Sequence, residues 1–484
     1  MEIAVFTSQT FLAILPEMLL LALAALVLLA DMVLKRSRRN LLGGLSTLGL
    51  LAILIVAILY SRPQAGDALI LGGMLRHDWP AFTFKVVLLF AAAVSTLLSS
   101  GLDDLSDRGE YFALLIVATL GMNLMAASAD LMMLFLAIET TSIPLYILAG
   151  FIKADEKSAE SGLKYFLFGA LTSAVMLYGF SLLYGFTGET NLYNLAVAMR
   201  AGALSPWLIA AMAVLVLVGF AFKISAVPFH FWSPDVYEGA PTPITAFIST
   251  ASKAAGFAVL VRFMLAVFPA IELQWTWILA IMATATMTIG NLLALPQQNI
   301  KRLLAFSSVA HAGYAMIGLV ALSTFGAASI VFYLAAYVVT NLAAFAVVIL
   351  FARTAGSEQI EDYAGLSRRS PGLALALMVA LLSLGGMPPL AGFVAKVYVF
   401  AAVVESGWVW LAFVGVLNAI IGLYYYLTIL KVVYLYRSEQ DNVPIAVPRA
   451  YGIGLGLCIF AIILIGSLSA PWLDWATQAA QSLF

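Results

Sequence analysis

The stretch Phe222-Lys223-Ile224-Ser225-Ala226-Val227-Pro228-Phe229-His230-Phe231-Trp232 decides how the chain reads. It closes an apolar run that begins near Trp207. A lysine stands where a membrane span ordinarily carries no charge, and a proline follows five residues later. A charge in hydrocarbon costs about 2.5–3.5 kcal/mol on insertion scales, so it is rarely idle. Pro228 has no amide proton and would leave the carbonyl of Ile224 without its helical partner. A broken helix beside a buried cation is the architecture of an ion path through a membrane.

The whole composition agrees. The chain is 63% hydrophobic and 10% charged, whereas a soluble domain is roughly 45–50% apolar and 25% charged. An all-α polytopic membrane protein is expected. The net charge of −1 gives no reason to expect nucleic acid as a partner. Cys458 is the single cysteine, so neither an intrachain disulfide nor a thiolate metal cluster is available. The first ten residues carry an acid and no base, which does not fit a cleavable signal peptide.

Spans of about 20 apolar residues predict about fourteen transmembrane helices. Their cores are residues 11–34, 41–60, 82–98, 111–128, 131–150, 159–186, 206–229, 244–267, 275–295, 300–322, 327–351, 373–404, 408–436 and 452–468. The loop after the first span holds Lys35, Arg36, Arg38 and Arg39. Its side also receives Arg108, Lys153, Lys157, Lys301, Arg302, Arg353, Arg368, Arg369, Arg437 and Arg449. The opposite side receives only Arg62, Arg76, Arg200 and Arg262. The basic side faces the cytoplasm, which puts both termini on the other side. The longest connections, 61–80, 188–205, 234–243 and 352–371, leave no room for a soluble domain. No phosphate-binding loop, haem motif or iron–sulfur motif appears, which argues against redox chemistry in this chain.

The seventh span breaks at Lys223 to Pro228. Five spans later the twelfth breaks at Leu384-Gly385-Gly386-Met387-Pro388-Pro389, with Lys396 following. Paired interruptions point to a repeat-built transporter. An odd repeat of five spans must invert. We therefore expect three N-terminal helices in 1–109, one five-helix unit in 110–270, an inverted second in 271–437, and a C-terminal helix in 438–484.

The candidate site residues are Glu139, Lys164, Lys223, Lys253, His311 and Lys396, with Lys85 as a possible addition. Glu139 is either a protonated acid bonded to neighbouring hydroxyls or the partner of a lysine, Lys223 first and Lys164 second. Lys164 and Lys85 are close enough to span ends for their stems to snorkel. Lys253, among small residues, and Lys396 are too deep for that. His311 suits a proton relay because its unperturbed pKa lies near neutrality, though a neutral histidine bonded to a hydroxyl is the plain alternative. His230 reads as interfacial and His77 as a loop residue; three histidines this far apart make no metal site. Burial disfavours a charged amine and a nearby carboxylate restores it. Moving Glu139 toward or away from Lys223 would thus switch that lysine between holding and releasing a proton.

These residues resemble those of a known family, the antiporter-like membrane subunits of respiratory complex I, the proton-pumping NADH:quinone oxidoreductase. The likeness covers essentially the whole chain. It is carried by residues 222–232 running on into Ser233-Pro234-Asp235-Val236-Tyr237-Glu238-Gly239-Ala240-Pro241-Thr242-Pro243, and by Gln298-Asn299-Ile300-Lys301-Arg302-Leu303-Leu304-Ala305-Phe306-Ser307-Ser308 through Tyr314. The resemblance implies fourteen helices with two inverted five-helix repeats. It also implies functional positions at Glu139, Lys164, Lys223, Lys253 and Lys396. No cofactor is implied in this chain: FMN, iron–sulfur clusters and quinone are expected in other subunits. The implied partners are other membrane-arm subunits, sister antiporter-like subunits among them, and the bilayer of a bacterial inner membrane. Two other functions share part of this pattern, a cation/proton antiporter (alone or as one component of several) and a structural spacer. A spacer has no reason to hold charges near mid-membrane.

Overall fold

The computed structural model describes residues 8–35, 38–63, 68–102, 104–200, 204–439, 441 and 443–484. Arg36 of the basic loop and most of the N-terminal segment lie outside them. In chain order the helices are α1 (Ser8–Val33), α2 (Leu41–Tyr60), α3 (Trp79–Ser99), α4 (Gly109–Ala127) and α5 (Leu131–Ala149). Next come α6 (Glu156–Thr187), α7 (Leu192–Arg200), α8 (Pro206–Ile224), α9 (Trp232–Gly239), α10 (Thr242–Phe247) and α11 (Lys253–Val267). The remainder are α12 (Glu272–Ala294), α13 (Ile300–Val320), α14 (Thr324–Ala355), α15 (Leu366–Arg369), α16 (Pro371–Gly385), α17 (Ala391–Glu405), α18 (Val409–Leu435), α19 (Arg449–Ser467) and α20 (Ser469–Gln481). Strands β1 (Ala68–Ile70) and β2 (Leu75–His77) form an antiparallel hairpin between α2 and α3, pairing Ala68 with His77 and Ile70 with Leu75.

Twelve helices among the described residues are long and apolar enough to cross a membrane, α10 and α11 counting as one; α19 with α20, bent by 87°, would add another. The expected span over 373–404 is instead two helices of 15 residues each, α16 and α17, each short for a bilayer. The expected span over 206–229 stops at Ile224. The central windows of α10–α11 and α13 are fully buried and that of α14 is 94% buried, so these helices form the middle of the bundle. α6 at 33% and α1, α2 and α18 at 39% make up its apolar rim.

Corresponding elements of the two halves are built alike. Asp130 caps α5 by accepting from Met132 N and Met133 N, and Asn299 caps α13 by accepting from Lys301 N and Arg302 N. Each start is stitched to the segment that follows the next long helix. Leu131 N donates to Thr190 O and Ile300 N to Glu358 O. Both next helices, α6 and α14, have 32 residues and end on a glycine in the left-handed region, Gly188 and Gly356. α8 ends on Ser225 at φ 59° before a cis Val227–Pro228 bond, and α16 ends on Gly386 at φ 86° before a cis Pro388–Pro389 bond.

Candidate functional site

At the first break Lys223 occupies the last turn of α8 and is 6% exposed. Its Nζ donates to Ser142 Oγ on α5 at 3.0 Å. That hydroxyl donates in turn to Ile138 O at 2.6 Å, which leaves its lone pair free for the amine. Glu139, three residues earlier on the same face of α5, accepts from Ser173 Oγ on α6 at 2.8 Å. Glu139 acts on Lys223 through its charge, but no ion pair joins them among the described residues. The expected carboxylate–lysine pair is therefore one hydroxyl apart. The backbone of the break is satisfied by other groups. Trp232 Nε1 donates to Phe222 O at 3.2 Å and Val227 N to Thr286 Oγ1 at 3.0 Å.

At the second break the amine belongs to the following half-helix. Lys396 on α17 reaches back and donates to Leu384 O at 2.9 Å and Gly385 O at 3.1 Å. These are among the last carbonyls of α16, which have no intrahelical partner. Its Nζ also lies 5.0 Å from the ring centroid of Tyr314.

Between the breaks, Lys253 follows a π-helical turn, Ile248–Ser252, a distortion that recurs at functional sites. Its Nζ donates to Ser308 O at 2.9 Å and contacts Ser308 Oγ closely. That Oγ lies 3.2 Å from Tyr237 OH. The neighbouring Ser307 Oγ is 2.5 Å from Tyr426 OH, which lies 3.3 Å from His311 Nε2. His311 Nδ1 is 2.7 Å from Tyr333 OH. A cavity of about 10 Å³, near the minimum for one water, is lined by His311, Tyr333, Tyr337, Thr340, Ser383 and Leu384, and so reaches the second break. Lys253, His311 and Lys396 thus share one interior region. Among the described residues no hydrogen bond joins Lys223 to Lys253, yet Ser225 and Ser252, each within two residues of one of these lysines, are buried hydroxyls without a partner.

Lys164 lies elsewhere. Its side chain is 36% exposed and pairs with Glu160 at 2.5 Å and Asp235 at 2.6 Å, not with Glu139. Asp235 and Glu238 on α9 both accept from Arg302 NH1 at 2.8 Å, and Glu238 also pairs with Lys157 at 2.8 Å. Burial pushes the Asp235 carboxyl up, but Lys164 and Arg302 together hold it below the usual carboxylate range; Lys157 and Arg302 do the same for Glu238. Lys85 does not snorkel: it is 4% exposed and pairs with Glu17 at 2.9 Å and Ala13 O at 3.0 Å. His230 is buried rather than interfacial. His77 sits on β2, and burial, followed by the nearby Lys85 charge, lowers its pKa to about 4. Arg262 forms a bidentate pair with Asp78 at 2.6 and 2.8 Å, tying α11 to the hairpin.

Glu17 and the relay hydroxyls of Ser142, Tyr333 and Tyr426 were not singled out from the sequence. An acid beside Pro16 in an apolar first span was the available signal for Glu17. The hydroxyls carry no such signal.

The sequence profile of the family described as NADH:quinone oxidoreductase/Mrp antiporter, TM, matches residues 128–422, which contain both breaks. NADH-quinone oxidoreductase subunit N of Moorella thermoacetica is 40% identical over 470 residues, 97% of this chain and 98% of that protein. The subunit N of Desulfitobacterium hafniense is 41% identical over 494 residues, covering 98% and 99%. A chain of respiratory complex I from Thermus thermophilus superposes with a TM-score of 0.78 at 32% identity, covering 95% of this chain and 98% of that one. The chain therefore belongs to the antiporter-like membrane-subunit family of NADH:quinone oxidoreductase, on its subunit N branch.

Proposed function

We propose that protons cross this subunit along Glu139, Lys223, Lys253, His311 and Lys396, driven by electron transfer from NADH to quinone in other subunits. Lys164, in the polar cluster with Asp235 and Arg302, stands at the mouth of the line and not on it. The observation that carries this reading is the way the three buried amines are held. Lys223, Lys253 and Lys396 donate only to hydroxyl and carbonyl oxygens. No carboxylate fixes their protons, so a small shift of Glu139 changes what Lys223 holds. Rotation of the Ser142 hydroxyl between Ile138 O and the amine is the local motion that follows. From Lys223 a proton passes the buried hydroxyls of Ser225 and Ser252 to Lys253. Ser308, Ser307 and Tyr426 then lead to His311, and the small cavity leads on to Lys396.

The paired caps, stitches, 32-residue helices and breaks support two five-helix units in 110–270 and 271–437, inverted with respect to one another, within fourteen spans. Basic residues concentrated in one set of loops support a bacterial inner-membrane location with both termini periplasmic. FMN, iron–sulfur clusters and quinone are placed in other chains of the complex. Sister antiporter-like subunits are the expected neighbours for part of the apolar rim.

The test is NADH-driven proton translocation by the assembled complex carrying Lys223→Ala, Lys253→Ala or Lys396→Ala. Each is expected to lower translocation by roughly 10²-fold or to background, the scale of a positioned acid–base group. Normal translocation in all three variants overturns the reading.

A further inference from the structure

A larger cavity, about 300 Å³, opens between the C-terminal end of α12, the start of α13 and α18. Its polar lining is Gln297, Gln298, Gln359, Glu361, Thr428 and Tyr425. It lies beside Lys301 and Arg302, at the basic end of the bundle. The line from Glu139 to Lys396 makes no use of it. Its size far exceeds the ~10–15 Å³ that one water needs, and its amides, hydroxyls and carboxylate suit water.

The inner wall of this cavity is Tyr425, 3% exposed. Its hydroxyl donates to Asn291 Oδ1 at 3.0 Å and interacts with Tyr426 and Ser307. Tyr426 in turn lies between Ser307 and His311. Hydroxyls and an imidazole can each accept one proton while releasing another, so this run is competent for transfer. Asn291 is not: its amide donates to Tyr314 OH at 3.0 Å and to Met287 O at 2.9 Å, and it holds the Tyr425 hydroxyl in place. Gly422 keeps that junction open, because a Cβ there would stand 3.2 Å from Asn291 Oδ1 and 3.6 Å from Tyr425 OH.

We infer that this cavity is a second proton inlet, leading water-borne protons from the basic, cytoplasmic end through Tyr425 and Tyr426 to His311 without passing Lys223. The inference rests on the proton-path reading above and adds an entry to its middle. Lys223 then controls the first half alone, and the pair His311–Lys396 is refilled on its own.

The experiment uses the assembled complex in inverted membrane vesicles with Thr428→Cys in the cavity lining. Cys458 is the only native cysteine and is buried. A bulky, charged, membrane-impermeant thiol reagent is applied from the cytoplasmic face. The expected result is labelling of residue 428 and loss of proton translocation, restored on reduction, in the same folded preparation. Tyr425→Phe should show the same loss without reagent. Full labelling with unchanged translocation overturns the inlet, as does labelling only from the opposite face. Lys396→Ala, measured alongside, separates the two failures. If it abolishes translocation while the labelled protein pumps normally, the inlet alone is wrong. If it also pumps normally, the underlying path is wrong.

Discussion

At the first helix break the carbonyl of Phe222 is taken by the indole of Trp232, 3.2 Å away. At the second, the carbonyls of Leu384 and Gly385 are taken by the amine of Lys396, at 2.9 and 3.1 Å. A helix end in the membrane interior must satisfy its last carbonyls somewhere. Where an aromatic N–H does so, the lysine is released to face Ser142 and the field of Glu139. Where the lysine itself does so, its proton also serves the backbone. The first break is thus built to switch, and the second to hold. Both amines are equally buried at 6% exposure, so what distinguishes them is their hydrogen-bond partners and not their depth.

The most severe test removes each amine and reads stability beside translocation. Lys396→Ala leaves two buried carbonyls without a donor, at about 1–3 kcal/mol each. The membrane arm carrying it should unfold at a clearly lower temperature. Lys223→Ala leaves Ser142 still bonded to Ile138 O, so it should lose translocation with little change in stability. Equal destabilisation by both would erase the contrast. Next in size, Glu139→Gln keeps the bond to Ser173 while removing the charge; coupling of translocation to NADH oxidation should fall sharply, and more than in Ser173→Ala. A smaller effect is expected of Trp232→Phe. Losing one N–H to a buried carbonyl costs about 1 kcal/mol, and Lys223 becomes the nearest substitute donor. The variant should shift the first break toward the behaviour of the second, with translocation reduced but not abolished.

The smallest effect concerns the polar end of the first half. The Asp235 and Glu238 carboxyls are held below their usual range. Their contribution to stability is complete above the ordinary carboxylate pKa, about 4, and is lost as pH falls through the lowered values. The melting temperature of the complex should therefore drop on acidification below about pH 4. Arg302→Gln should flatten that dependence without affecting the two breaks.

Both breaks were legible in the sequence because a lysine in an apolar run and a proline or glycine pair each violate what a span tolerates. The relay hydroxyls were not, because serine and tyrosine sit in apolar helices by bonding to the preceding turn and leave no mark there. Thr141, bonded to Ala137 O, looks in sequence just like Ser142. The hairpin and α7 were hidden in loops too short to carry a periodic signal. Lys164 looked deep because its span was counted from residue 159. α6 starts at Glu156 and has 32 residues, about 48 Å at 1.5 Å per residue, against a hydrocarbon core of about 30 Å. Two turns from its start is therefore still the polar end of the molecule.

The passage from Lys223 to Lys253 is the step on which the proton path stands, because no protein hydrogen bond spans it among the described residues. A map of the assembled complex at a resolution that shows ordered water tests it directly. The account predicts water density bonded to Ser225 and Ser252 and linking the two amines. A dry, apolar seal between those lysines in every state of the turnover cycle would contradict it.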